Sequence, residues 1–258
     1  MQILVCVKRV PMVGGKIVIL PNGQELDTRV SGFTVSPHEE CAVEEAVRLT
    51  ERYGGGVTVL TLGPPEAADQ LRDMLALGAS RAVLLETDGR EWGPVATAGA
   101  IVDAIRGGDG GYDLLLFGNE SADTGGYQVP VRVAHALGLP CVTGIKGIEI
   151  TEDRGAGPGS ARGRREYRGT EEVFDLPLPA VISVKEGINL PRYPSLPGRL
   201  RAKRAVVERF APDWQPEGLR KLGLRVPASE RRRAEILGTG TDAVPALLAL
   251  LDELGLLK

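Results

Sequence analysis

The chain has 258 residues, 43% of them hydrophobic and 25% charged, with a formal net charge of −3. That is ordinary for a globular protein, and the slight acidity gives no reason to expect nucleic acid or an anionic membrane as a bulk partner. Aromatics at 4% leave little for base-stacking platforms. No apolar run approaches the roughly 20 residues of a membrane span, so the chain is not expected to be membrane-embedded. Met1 leads directly into a strand-like pattern with no signal-peptide pattern before it. The cysteines Cys6, Cys41 and Cys141 are odd in number, far apart and in apolar contexts. They read as reduced core thiols of a cytoplasmic protein, with no metal or redox role.

Residues 3–7 read as a strand running into Lys8-Arg9. A short strand pair is expected at 16–20 and 24–27 around the turn Pro21-Asn22-Gly23. Ser36-Pro37-His38-Glu39 is a helix start, with Ser36 as N-cap, Pro37 at the first helical position and Glu39 placed to close a capping box. That helix runs to about residue 52 with Ala42, Val43, Ala46, Val47 and Leu49 inward, and Gly54-Gly55-Gly56 stops it. A strand follows at 57–62. Beyond Gly63-Pro64-Pro65, Ala67, Leu71, Met74 and Leu75 share one helix face. The pattern then gives a strand at 82–85, a helix over 92–105, a strand at 114–117 and a helix to 137.

This alternation to about residue 145 predicts an α/β fold, a doubly wound and mostly parallel sheet with right-handed crossovers. Ligands of such sheets lie beyond the carboxyl ends of the strands, where strand order reverses. The loops 6–9, 62–65, 86–93 and 118–127 are therefore expected around one crevice, and the Ser36 helix start could face it too.

Past 145 the pattern changes. Residues 148–151 and 165–174 read as strands, a small β addition around a Gly/Arg/Ser insertion at 154–163. A buried strand returns at 178–184. The segment 185–197 has three prolines and three exposed-looking apolar residues, which suit an ordered, protruding loop. Residues 199–204 are a basic run, read first as a solvated helix face. Residues 212–240 show little periodicity and contain Arg231-Arg232-Arg233. An amphipathic helix over 242–257, with Leu247, Leu248, Leu250, Leu251 and Leu254, needs a surface to cover, and that surface could belong to another chain. The division is a nucleotide-binding domain at 1–204 and a C-terminal arm at 205–258.

The stretch 114–131 organises the rest. An apolar strand breaks at Gly118, a polar loop with Gly125-Gly126 follows, and a helix begins after Tyr127. Strand, small-residue loop and helix leave free backbone N–H groups at the helix start, which suit a phosphate. A glycine turn without any ligand is equally open at this point. No Gly-x-Ser-x-Gly elbow, Cys-x-x-Cys pair, His-x-x-x-His pair or Walker lysine occurs. No nucleophile stands beside a base, so the chain reads as a nucleotide binder that is not itself an enzyme.

Seven motifs in register carry a resemblance. They are Cys6-Val7-Lys8-Arg9-Val10; Ser36-Pro37 and Glu39 with 42–48; Leu62-Gly63-Pro64; Ala76-Leu77-Gly78-Ala79; Gly118, Ser121-Ala122-Asp123 and Gln128; Leu178-Pro179-Ala180-Val181; and Asn189 with Pro191-Arg192-Tyr193. Their order and spacing to about residue 204 resemble the beta subunit of electron transfer flavoprotein. The C-terminal arm fits more loosely.

The resemblance implies an adenine-nucleotide alpha-hydrolase-like sheet and a heterodimer with an alpha subunit that carries FAD. It implies electrons taken from flavin dehydrogenases such as the acyl-CoA dehydrogenases of fatty acid oxidation, and passed to a membrane quinone oxidoreductase. It implies AMP as a structural cofactor of this chain, or a second FAD as in electron-bifurcating relatives. For that cofactor it implies Cys6 near the adenine, then Ser36, Pro37, His38 and Glu39 as a second wall, and Leu62 closing the pocket. Ser121, Ala122, Asp123, Thr124, Gly125, Gly126, Tyr127, Gln128, Val129, Pro130, Val131 and Arg132 would hold the phosphate, with Asp123 and Gln128 as polar anchors. Glu186, Gly187, Ile188, Asn189, Leu190, Pro191, Arg192 and Tyr193 would form the loop that anchors the dehydrogenase, with Ile188 and Leu190 as apolar anchors. His38 stands where mitochondrial-type members carry an aromatic residue. A stand-alone nucleotide binder of the universal-stress type, and a small adenylating domain, are the competing readings.

Overall fold

The computed structural model describes the chain except for residues 13–16, 30–31, 89, 91, 109–110, 152–158, 217, 219–220, 228–234 and 258. In chain order its elements are β1 (Gln2–Cys6), β2 (Arg9–Pro11), β3 (Phe33–Val35), α1 (Pro37–Tyr53), β4 (Gly56–Gly63), α2 (Ala68–Leu77), β5 (Arg81–Glu86) and α3 (Pro94–Gly107). Then come β6 (Leu114–Gly118), α4 (Val129–Leu137), β7 (Cys141–Ile145), β8 (Gly147–Thr151), β9 (Ser160–Tyr167), β10 (Thr170–Pro177), β11 (Ala180–Val184), α5 (Leu196–Arg204), β12 (Glu208–Phe210) and α6 (Val244–Glu253).

Seven strands form one sheet in the order β12-β5-β4-β1-β6-β11-β7, and every pairing in it is parallel. Alternation along each strand sends its side chains to two separate cores. Ile3, Val5, Leu114 and Leu116 face α1 and α2, whereas Leu4, Cys6, Leu115 and Phe117 face α3 and α4. Strands apolar along their whole length are what a sheet covered on both faces requires. The doubly wound expectation therefore holds. From β1 the chain builds outward through β4 and β5, then returns to the other flank of β1 with β6. The carboxyl end of β1 is thus the switch point, and chains leaving β1, β4 and β6 diverge from it.

Several differences from the sequence reading have local causes. The single strand expected at 165–174 is a hairpin, β9–β10, turning at Arg168 (φ 50°) and Gly169 (φ 77°). Two successive left-handed residues make the turn that matches strand twist. β7 is missed because Gly144 interrupts its apolar pattern, and the three-residue ribbon of β2 with β3 is too short to show a period. The pair expected at 16–20 and 24–27 is reduced to a bridge of Ile19 with Leu26. Lys16, part of the 154–163 insertion and Arg231-Arg232-Arg233 lie outside the described residues. The basic run 199–204 falls in α5, where Gly198 and Ala202 are buried against α2. A Cβ on Gly198 would come within 2.7 Å of the Ala76 carbonyl, so this approach needs glycine.

Beyond residue 204, β12 lies at the edge of the sheet. Its Glu208 receives a two-pronged bond from Arg81 at 2.6 and 2.7 Å. Farther on, the Leu224 N–H donates to the Gly23 carbonyl at 2.7 Å, fastening the arm across the first turn. No residue of α6 is buried.

Candidate functional site

A cavity of about 750 Å³ opens at the switch point, a size common for small-ligand sites. Its floor is apolar: Cys6 from β1, Leu60 and Leu62 from β4, Phe117 from β6 and Ile101 from α3. One wall is the loop after β6, through Asn119, Glu120, Ser121, Thr124, Gly126 and Tyr127, continuing into Gln128, Val129 and Pro130 at the amino end of α4. Lys8 and Glu39 stand beside that loop. The opposite side is Trp92, Gly93, Pro94 and Thr97 at the start of α3, with Trp214, Pro216 and Lys221 of the arm. Both tryptophans of the chain line this one space.

The loop owes its shape to close packing at Gly118. A Cβ there would lie 2.6 Å from Glu39 Cγ and 3.0 Å from the Glu39 nitrogen, so only glycine lets the end of β6 meet the start of α1. Gly125 (φ 53°) and Tyr127 (φ 55°) then take left-handed conformations. Tyr127 pays a steric cost there that glycine does not.

Ser36 does not cap its helix with its hydroxyl. The Ala122 N–H donates to Ser36 Oγ at 2.9 Å instead, tying α1 to the loop. Glu39 keeps its half of the capping box, accepting the Ser36 N–H, and also accepts the Lys8 N–H at 2.8 Å. The Lys8 ammonium reaches Asp123 at 2.7 Å.

The two acids of this chain of contacts differ in charge. Burial pushes Glu39 up to about 8, against both backbone bonds and the Lys8 charge, so near neutrality its carboxyl is largely protonated and can donate. Burial also raises Asp123, but the Lys8 ammonium, Ser121 and the Thr124 N–H outweigh it and hold that carboxyl below the usual range. The Cys6 thiol is pushed far up by burial and then by Glu39, so it stays a neutral part of the floor. The Trp92 indole N–H is buried and has no acceptor among the described residues, which is costly for a donor unless a ligand supplies one. Among the described residues no group of His, Cys, Asp and Glu is arranged to hold a metal ion.

The expected cofactor residues thus divide. Cys6, Glu39, Leu62, Ser121, Thr124, Gly126, Tyr127, Gln128, Val129 and Pro130 line the cavity. Ser36 and Asp123 hold the loop from behind, and Pro37 opens the helix. Arg132 turns back to Gln128 Oε1 at 2.9 Å, and Val131 is exposed. Lys8, Trp92 and Glu120 were not singled out in the sequence, although each sits in a strand-end loop expected at the crevice. Nothing in the sequence placed Trp214 there, because the arm reaches the site only through the tertiary fold.

The loop 185–197 is fastened to α1. Arg192 donates from its backbone N–H (3.1 Å), Nε (2.9 Å) and Nη2 (3.2 Å) to Glu44, whose side chain is 2% exposed, and from Nη1 (2.6 Å) to Glu51. Asn189 Nδ2 donates to the Cys41 carbonyl at 3.0 Å and to Glu45 at 2.9 Å. Leu190, between these anchors, is 84% exposed, and Tyr193, just past Arg192, is 93% exposed. Ile188, the other expected apolar anchor, is partly buried and packs against the core. Bonds on both sides of it leave it one direction to face.

Fold and site define a class: a doubly wound α/β protein with a crevice at its switch point and a loop, fastened to α1, that exposes Leu190 and Tyr193. Residues 26–214 match the model of the electron transfer flavoprotein domain. The chain is 35% identical over 215 residues to the electron transfer flavoprotein subunit beta of Bacillus subtilis, covering 83% of this chain and 80% of that one. It is 38% identical over 208 residues to the subunit of that name in Syntrophomonas wolfei, covering 80% and 78%. It is 36% identical over 231 residues to Protein FixA of Azorhizobium caulinodans, covering 87% and 80%. The chain belongs to the electron transfer flavoprotein family, as a beta subunit and so as part of an electron carrier rather than an enzyme. No helix among the described residues is long and apolar enough to cross a membrane.

Proposed function

We propose that this chain forms a heterodimer with an alpha subunit carrying FAD, binds AMP in the crevice, and docks flavin dehydrogenases through the loop 185–197. The observation that carries the nucleotide reading is the cavity itself. It combines an apolar floor for a purine with a wall made of the amino end of α4, the loop 119–128 and the Lys8 ammonium. A helix amino end and a cation suit a phosphate, and the largely protonated Glu39 and the Trp92 N–H, which finds no acceptor among the described residues, offer donors to the rest of the nucleotide. AMP brings no redox chemistry. Bound there, it would stiffen the contact between the start of α1 and the loop after β6. The flavin of the alpha subunit supplies the electron transfer, from acyl-CoA or other flavin dehydrogenases toward a quinone oxidoreductase, in the cytoplasm.

Acid extraction of the purified yellow heterodimer should release AMP in a one-to-one ratio with this chain. A second reading, FAD in the same cavity, is favoured by the side the expected AMP residues do not reach, where Trp92, Trp214 and Lys221 extend the space. Two FAD per heterodimer and no AMP would select it. A colourless homodimer would instead support the stand-alone nucleotide binder.

A further inference from the structure

Helix α1 stands between the cavity and the docking loop. Its first turn holds the cavity side, through the Ala122 N–H on Ser36 and the Lys8 N–H on Glu39. Its next turns hold the loop, through Asn189 on Glu45 and Arg192 on Glu44 and Glu51. One side chain touches both. His38 Nδ1 accepts the Glu186 N–H at 3.0 Å, at the start of the docking loop, and its Nε2 lies 3.5 Å from Glu120 Oε1. Glu120 is itself part of the cavity wall.

Accepting at Nδ1 places the proton of a neutral imidazole on Nε2, directed at the Glu120 carboxylate. At 3.5 Å that contact is longer than an ordinary hydrogen bond. The His38 side chain is only 18% exposed, and the imidazole is rigid, so a move of Glu120 on one side is felt at Glu186 on the other.

We propose that His38 is a positioning residue that links the filling of the cavity to the order of the docking loop. The inference rests on the nucleotide and docking assignments above. A phosphate at the loop 119–128 repels the Glu120 carboxylate, which lines the same wall. The carboxylate then closes on the His38 N–H, and the imidazole holds the Glu186 N–H more firmly. This gives the ligand a differential interaction with two states of the loop, as any such shift requires. The coupling is reciprocal, so a partner that orders the loop also tightens the nucleotide.

The test is amide hydrogen exchange on the heterodimer, stripped of nucleotide and then saturated with AMP, resolved at 119–128 and at Glu186. In the wild type AMP should slow exchange in 119–128, and slow the Glu186 amide by about fivefold or more, the lower range of coupling between two sites. His38→Gln keeps a donor in the place of Nε2 but offers Glu186 no acceptor. At saturating AMP its Glu186 amide should stay fast. His38→Asn keeps an acceptor in the place of Nδ1 but falls short of Glu120, so its Glu186 amide should exchange near the stripped wild-type rate with or without AMP. Protection of 119–128 with no change at Glu186 in the wild type would overturn the coupling and leave the nucleotide assignment standing. Protection at neither place overturns the nucleotide assignment, and the coupling with it. A response to AMP at Glu186 that survives both substitutions removes His38 from the link.

Discussion

Helices α1 and α6 carry apolar faces of opposite fate. α1 is rich in charge, with Glu39, Glu40, Glu44, Glu45 and Glu51, yet it buries Cys41, Ala42, Val43, Ala46, Val47 and Leu49. α6 has only Asp252 and Glu253 against four leucines and a valine, yet buries nothing. Leu247, Leu248 and Leu254 are each 45% exposed or more. Apolarity does not decide burial; a surface within reach does. α1 lies on the central sheet, whereas α6 begins only at Val244, well past the last strand of the sheet, β12. A leucine face left open in this way fits a second chain, and we propose the alpha subunit as that chain.

The largest effect should come from removing that face. Truncation of the chain from Val226 onward should leave the sheet and its cavity folded, with far-ultraviolet dichroism scaled only for the lost helix. Heterodimer affinity should fall by well over tenfold, since burial of one leucine contributes about 2 kcal/mol. Unchanged affinity for the alpha subunit would place α6 on its own domain and erase the contrast with α1.

On the α1 side the most sensitive contact is Arg192 with Glu44. Arg192→Ala leaves a carboxylate that is 2% exposed with, among the described residues, Arg48 and the backbone N–H of position 192 as its remaining partners. Unfolding by denaturant should show a loss on the order of 2 kcal/mol, and the loop should become open to proteolysis. Arg192→Lys should recover little, because an ammonium cannot make the forked bonds to two carboxylates. Full rescue by lysine would show that charge alone holds the loop.

Glu39 gives a pH signature. Its folded-state carboxyl is raised to about 8 from an ordinary 4.5. The native state therefore binds more protons than the unfolded state between those values, and stability is lost as pH rises through that window. Glu39→Gln removes this dependence. Wild-type stability relative to the variant should decline from pH 5 to pH 8 by a few kcal/mol, on the order of 2 or more. Parallel profiles would show that the carboxyl ionises freely in the fold.

The smallest effect on stability should come from the exposed pair on the loop 185–197. Leu190→Ala with Tyr193→Ala should leave the melting temperature and flavin spectrum unchanged while weakening a dehydrogenase by about 2 kcal/mol, roughly thirtyfold. Lost thermal stability with intact docking would make the loop a structural strap.

Much of this was legible in the sequence where one period ran long enough. The apolar strands, the glycine stops after α1 and α2 and the Ser36-Pro37 start gave the sheet and its switch point. Register and long-range pairing were not legible. Nothing local says that the Ser36 hydroxyl serves Ala122 instead of its own helix, that Ile188 turns inward while Tyr193 turns out, or that Trp214 returns to the crevice. Those depend on which segments meet in space. The place of the crevice was therefore readable from the strand-end loops, whereas the arm's share in it was not.

The most direct test of the account is a titration of the nucleotide-stripped heterodimer with AMP, comparing the wild type with Lys8→Ala. Lys8 is the cation that braces the loop 119–128 through Asp123. Saturable binding of one AMP per heterodimer is predicted, weakened about tenfold or more by the substitution, a difference of about 1.4 kcal/mol. Equal affinity in both proteins, or no binding to the wild type, would contradict the assignment of the crevice at the end of β1 to a nucleotide.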